Sequence, residues 1–374
     1  MNLKSRGKTL DNLFAAAEQF KQQGEVIDIR EFGNGNINKT FLVTLDSKGE
    51  KHFILQCINT QVFRQPELVI HNMRICTEHI SQRLQHVPLG AGRRWEVPSV
   101  LLTQDSRDFY LDLDASFWRA ISFIEGSQSF DIIKDTDFAR EVGYALGIFH
   151  TLLSDLPPDR LSDTLKGFHI TPRYLHHYEE VLAKYNAGKS PEKNYCLQFI
   201  SRRFAWAHVL EDARAQGRLH LRPIHGDPKV NNIMIDIATG QAISIVDLDT
   251  VKPGLIHYDI GDCLRSGCNT LGEETGQWEK VHFDPDLCRA ILQGYLSMAK
   301  EFLTENDFFY IYDSIRLIAF ELGLRFFTDY LKGNVYFKVR HPEHNLDRAL
   351  VQFKLTESIE SQERAIRSII QEIR

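Results

Sequence analysis

The chain changes character once, at Glu125-Gly126, and that change limits its fold more than any other feature. Before it lie short runs with period-two alternation: EVIDIREF, TFLVTL, HFILQCI, VPSVLLTQ, DFYLDL and SFWRAISFI, from Glu25 to Ile124. Turn chemistry at Asp46 to Gly49 separates the second run from the third, as in an antiparallel sheet. One helical stretch interrupts them, PELVIHNMRICTEHISQRL, with Pro66 suited to a first helical turn. Beyond Gly126 the stretches at 135–153, 172–185, 194–216, 283–302 and 306–331 carry apolar residues at helical spacing. Only IMID, the turn-forming ATG and ISIVDLD, at 233–249, read as a hairpin. Strands followed by helices predict an α+β fold in two lobes. The expected small lobe, 1–125, has about six antiparallel strands and a helix; the larger, mainly helical lobe is 126–374.

A chain of 374 residues with 43% hydrophobic content can bury a sizeable core. Its formal charge of −6 and pI near 6.2 give no support for a polyanion-binding surface, which argues against a nucleic-acid partner. The N-terminal MNLKSRGKTLDNLF lacks the apolar core of a secretory signal, and no window approaches a bilayer span, so no membrane association and a cytoplasmic location are expected. Six cysteines without CxxC or zinc-like spacing read as reduced, mostly buried thiols.

The chemistry is concentrated in IHGDPKVNN, Ile224 to Asn232, which leads into IMID. The following strand ends in Asp247-Leu248-Asp249, so a hairpin can bring Asp227, Asn232 and Asp247 to one point. An aspartate that accepts a hydroxyl proton, beside an asparagine and a second aspartate offering hard oxygen ligands, is what phosphoryl transfer with Mg²⁺ needs. The alternative is a polar turn, since Asp and Asn favour turns and HGD recurs by chance. HGDxxxxN, the hairpin, DLD and the acidic YDIGD at 258–262 occur together, which favours the chemical reading. Asp249, two residues beyond Asp247 on a strand, is expected to face the same side. Asp259 and Asp262 are expected to hold the loop through backbone hydrogen bonds.

In the first half, EFGNGNINKTFLV lies between the first two strands. Gly33 and Gly35 let backbone N–H groups approach phosphates, with Asn34, Asn36, Asn38 and Thr40 adding polar contacts; taken alone the segment reads first as a hairpin turn, and its place between these strands favours the phosphate reading once the second motif is admitted. His176-His177 lacks metalloprotease spacing and reads as a surface pair. The C-terminal ALVQFKLTESIESQERAIRSIIQEI reads as one amphipathic helix packed on its own lobe or at a dimer contact, leaving monomer and homodimer open.

HGDPKVNNIMID followed by SIVDLDTVKPGLIHYDIGD resembles the aminoglycoside phosphotransferase/choline kinase superfamily, small-molecule kinases with a two-lobed protein-kinase-like fold. The motif order matches from about residue 25 to about 340. GNGNIN, FILQCINTQVF, DLDTVKPG and GLRFFTDYLKGNVYF look most like the N-acetylhexosamine 1-kinase branch. The resemblance implies ATP and Mg²⁺ as cofactors and the anomeric hydroxyl of GlcNAc or GalNAc as acceptor. It implies Asp227 as catalytic base, Asn232 and Asp247 as metal ligands, and Gly33 to Asn38 over the phosphates. It places Ser122 to Glu125, including Ile124, at the hinge that meets adenine, and Arg325 and Tyr336 near the sugar, although an arginine on a long helix equally meets solvent or a carboxylate.

The chain departs from the wider superfamily at Gln56, where a lysine or arginine on the third strand pairs with nucleotide phosphates. Glu78, on the following helix, is the candidate for the usual acidic partner, or an ordinary solvent-facing glutamate. Two alternatives follow: a kinase of another hydroxyl acceptor, of choline, homoserine or aminoglycoside type, and a nucleotide-binding protein without turnover.

Overall fold

A computed structural model describes residues 12–20, 24–33, 37–49, 51–90, 92–184 and 190–374. The chain forms two compact units, Met1–Gln85 with Glu96–Glu125, and His86–Trp95 with Gly126–Arg374.

The first unit is a six-stranded antiparallel sheet: β1 (Glu25–Glu31), β2 (Lys39–Asp46), β3 (His52–Ile58), β4 (Val100–Leu101), β5 (Tyr110–Leu111) and β6 (Phe117–Ser122). Its order is β1-β2-β3-β6-β4, with β5 also on β6. Alternation divides the faces. Val43, Phe53, Leu55, Trp118 and Ala120 pack with Leu13, Ala16, Ala17 and Phe20 in one apolar cluster. The intervening positions, including Gln56 and Arg119, point the other way, and Arg119 Nη1 lies 3.8 Å from Met73 Sδ on the helix Pro66–Arg83. That helix buries Val69, Ile70, Met73, Cys76 and Ile80. Burial of each large apolar side chain contributes roughly 1.5–3 kcal/mol.

The second unit is mainly helical. The long helix Glu305–Leu331 begins with a Thr304/Asp307 capping box. The helix Ile256–Gly267 lies against it: a Cβ at Gly261 would stand 2.6 Å from Ser314 O, so only glycine permits this approach. Two small ribbons complete the unit. β7 (Ser127–Gln128), β9 (Ile233–Asp236) and β10 (Ala242–Ile245) form one; β8 (Arg222–Ile224) and β11 (Lys252–Gly254) form the other.

Three local expectations are corrected. Instead of one helix over 194–216 there are two, Pro191–Ser201 and Val209–Ala215. Arg203 closes the first by bonding the Phe199 carbonyl at 3.1 Å while pairing with Glu360. The C-terminal stretch breaks at Gln362, whose amide bonds the Phe283 carbonyl at 2.8 Å, into His344–Ser361 and Glu363–Ile373. The second piece buries Ile366, Ile369 and Ile370 within the unit. Finally, YDIGD is helical, inside Ile256–Gly267, because Ile256, Ile260, Cys263 and Leu264 supply a buried stripe.

The six cysteines are unbridged and five are buried. Among the described residues no helix is long and apolar enough to cross a membrane.

Candidate active site

Two loops of the second unit run side by side because both their ends are tied. The loop 225–232 leaves β8 and enters β9; the loop 246–251 leaves β10, the partner of β9, and enters β11, the partner of β8. Hydrogen bonds join them, among them Val246 N to Asn232 O at 2.8 Å, His225 Nε2 with Val246 O at 2.9 Å, and Thr250 Oγ1 to His225 O at 2.7 Å. Gly226, at φ 87°, has room for no side chain, since a Cβ would lie 2.7 Å from Thr250 O.

Asn232 is buried and its Nδ2 donates to the Asp227 carbonyl at 2.7 Å, which leaves Oδ1 as the ligand-type atom. Asp247 directly follows the residue bonded to Asn232 O and has left-handed backbone, φ 64° and ψ 54°. For a residue with a Cβ this conformation costs on the order of 1–2 kcal/mol, a strain typical of functional positions. An amide oxygen and a carboxylate on adjacent loops fit a hard divalent cation that completes its shell with phosphates and water.

The strand ends at Ile245, and 248–250 is a 3₁₀ turn, so Asp249 does not follow Asp247 by strand alternation as expected. It is buried.

Lys229, between Asp227 and Asn232, has no role in the sequence reading above. Its Nζ lies 2.8 Å from Asp227 Oδ2. Burial pushes the Asp227 carboxyl up, but Lys229, His225 and Arg265 outweigh it and hold it below the usual carboxylate range. Asp227 and then Asp247 raise Lys229 well above an ordinary lysine. Asp227 is therefore anionic at neutral pH and can accept a hydrogen bond from a hydroxyl. The lysine spacing in DPK was the available signal.

Asp259 holds the loop as expected, though from a helix: it accepts His225 N at 2.6 Å, Gly226 N at 2.8 Å and His150 Nε2 at 2.9 Å. Asp262 instead pairs with Arg265 at 2.8 Å, and Arg265 continues to Glu273. His169 touches Gly226 O at 2.7 Å and Glu321 Oε1 at 2.9 Å. Both its nitrogens face acceptors, which requires an imidazolium. Burial pulls its pKa down, but Glu321 and Gly226 raise it overall.

Arg325 lies half-buried among rings, its guanidinium 5.2 Å from Phe168, 5.2 Å from Tyr174 and 5.5 Å from Phe337. Tyr336 is exposed on the segment that follows the long helix. Buried Asp329 shapes that segment by accepting the N–H groups of Val335, Tyr336 and Phe337 at 2.8–3.0 Å. His176 and His177 are exposed beside Glu180.

In the first unit, Gly33 has φ 73°, with no atom of the described residues within 4 Å of where its Cβ would stand, and Asn38 Oδ1 accepts Asn59 N at 2.9 Å. Asn34, Gly35 and Asn36 lie outside the described residues. Ser122 N–H donates to Ser99 O, and its hydroxyl accepts Ser99 N–H at 2.8 Å; Ile124 is buried. Glu78 is solvent-facing and paired with Arg74 on its own helix at 2.9 Å. Gln56 Oε1 accepts Arg119 Nε and Nη2 at 3.0 and 2.7 Å.

Residues 28–299 match the family model described as "Phosphotransferase enzyme family". Among solved structures the chain is similar to a microcompartment-associated aminopropanol kinase, at 16% identity and TM-score 0.60 over 98% of this chain and 99% of that one. It is similar to an aminoglycoside phosphotransferase from Alicyclobacillus acidocaldarius subsp. acidocaldarius, at 15% identity and TM-score 0.59 over 96% and 95%. An amicoumacin kinase in complex with AMP-PNP and Ca²⁺ matches at 14% and 0.57 over 97% and 96%. At such identities the likeness establishes a shared fold.

Proposed function

The chain belongs to the phosphotransferase enzyme family, and from that premise we propose that it is an ATP- and Mg²⁺-dependent kinase of an N-acetylhexosamine, forming the 1-phosphate. In this reading Asp227 orients the acceptor hydroxyl and takes its proton as the bond to phosphorus forms. A loose phosphoryl-transfer transition state asks little of a base until late, which suits a carboxylate of lowered pKa. Lys229 offers positive charge beside the entering oxygen. Asn232 Oδ1 and Asp247 would hold Mg²⁺, which when bound neutralises charge on the phosphates. Gly33 to Asn38 would lie along the phosphates, and the 122–125 segment, with Ser122 and Ile124, would meet the base. The nucleotide and divalent ion of the amicoumacin kinase complex support these cofactors.

The acceptor assignment rests on Arg325. Its guanidinium occupies the aromatic surroundings in which a cationic acceptor would otherwise be held, and it raises the cost of bringing a second positive charge near. A neutral sugar bearing an acetamide oxygen suits it, with Tyr336 on the adjacent segment. The names of the aminopropanol and aminoglycoside kinases favour amine acceptors as the competing reading. A panel of GlcNAc, GalNAc, aminoglycosides and amino alcohols with ATP and Mg²⁺ decides between them. The expected product is an anomeric phosphate labile to mild acid. Transfer only to amine-bearing acceptors, or formation of an acid-stable 6-phosphate, overturns the assignment.

A further inference from the structure

Gln56 carries an amide where a cation is expected, yet a cation stands directly behind it. Arg119 on β6 and Thr40 on β2 are the register partners of Gln56 on its two sides, so Arg119, Gln56 and Thr40 form one row across three strands. We propose that this row replaces the phosphate-pairing lysine: Gln56 donates to the nucleotide phosphates, and Arg119 is the positioning residue that makes it a donor. The inference rests on the kinase reading above.

Arg119 is 1% exposed and does not itself reach solvent. Its Nε and Nη2 both donate to Gln56 Oε1. A guanidinium has donors only, so the amide orientation is fixed, with oxygen inward and nitrogen outward. Gln56 Nε2 then donates to Thr40 Oγ1 at 3.1 Å. Having accepted that bond, the Thr40 hydroxyl has its own hydrogen to give. Each step from β6 to β3 to β2 therefore passes on a donor. The row ends two residues after Asn38, at the close of the segment read as phosphate-facing.

Two charge-assisted bonds at one end polarise the amide, and hydrogen bonds in series reinforce one another. The buried guanidinium thus acts through a half-buried amide, much as an ammonium would act directly. The arrangement also explains the absence of lysine: an ammonium at position 56 would press a second cation against Arg119.

The decisive variant is Gln56→Glu. A carboxylate there pairs with Arg119, so the unit keeps its fold, but the row ends in an acceptor. Binding of ATP, ADP and adenosine by calorimetry, with a thermal melt for each variant, provides the readout. The expected result is ATP affinity lowered roughly 10- to 100-fold, the range set by one charge-assisted hydrogen bond, with adenosine affinity unchanged. Gln56→Lys alone should lower the melting temperature, and Gln56→Lys with Arg119→Met should restore both stability and the preference for ATP over adenosine. An unchanged ATP-to-adenosine ratio in Gln56→Glu overturns the proposal while leaving the kinase reading intact. Wild-type protein that binds no nucleotide overturns both.

Discussion

The Lys229 ammonium stands 2.8 Å from the Asp227 carboxylate, two residues away in the chain. Each fixes the other's charge: the lysine is raised and the aspartate lowered. Lys229→Met should therefore do two things. Turnover should fall about 100-fold or more, as when a preorganised charge is removed from a reacting phosphoryl group. Asp227, released from its partner, should titrate at higher pH, moving the acid limb of the kcat/KM profile upward. A profile that falls in height without that displacement would separate the two residues functionally.

Asp227→Asn retains the shape of the loop and its main-chain hydrogen bonds, but it gives up the negative charge that faces Lys229 and cannot take a proton. Turnover should drop by roughly 10²- to 10⁴-fold, with ATP affinity nearly unchanged by calorimetry. A variant that keeps more than about a tenth of wild-type turnover, far above that range, removes Asp227 from the role of base.

Asp259 is a support whose loss should be felt in both stability and rate. It accepts two consecutive loop N–H groups and His150. Asp259→Asn leaves a donor facing donors, and the cost of such a buried mismatch is about 1–3 kcal/mol. Chemical denaturation should register that loss. The kcat should fall while the ATP dissociation constant stays within about threefold, a change of under 1 kcal/mol.

His257 gives a pH dependence unrelated to catalysis. Its Nε2 donates to Asp307 O at 3.0 Å, and its buried Nδ1 has no hydrogen-bond partner among the described residues, which is the neutral tautomer. Burial pulls its pKa from 6.5 to about 4. The unfolded chain then binds the proton more readily, so stability falls as pH drops from about 6.5 and levels off near 4. The difference corresponds to roughly 3 kcal/mol. His257→Gln should flatten this part of the curve; melts of both proteins between pH 4 and 7 would show parallel lines if the idea is wrong.

Arg325→Met should raise the KM for a hexosamine at least tenfold and leave nucleotide affinity alone, since loss of a charged hydrogen bond is worth about 1.5–3 kcal/mol. The emptied ring cluster should also accept amino alcohols more readily than the parent. An equal loss for sugar and nucleotide would mean that Arg325 is structural.

Local patterns made the sheet and the β9–β10 hairpin readable, because alternation and turn residues act within a few positions. The pairing of Gln56 with Arg119 spans 63 residues and depends on strand register, which no local pattern states. Asp247 shows the limit from another side. Its residue type pointed to a ligand, but its left-handed backbone ended the strand and removed the basis for placing Asp249. The helix Ile256–Gly267 was obscured by its own polar residues: Asp259, Asp262 and Arg265 resemble a loop until each finds its buried partner.

Asp329 holds residues 335–337 solely through main-chain N–H groups. The path at Val335 and Tyr336, both exposed, is thus set by the main chain, whereas Phe337 is held as well by its ring, 4.6 Å from that of Phe326. In the acceptor reading proposed above, Val335 and Tyr336 can be exchanged while the scaffold stays put, which makes this stretch a natural cassette for evolving, or engineering, a different preference.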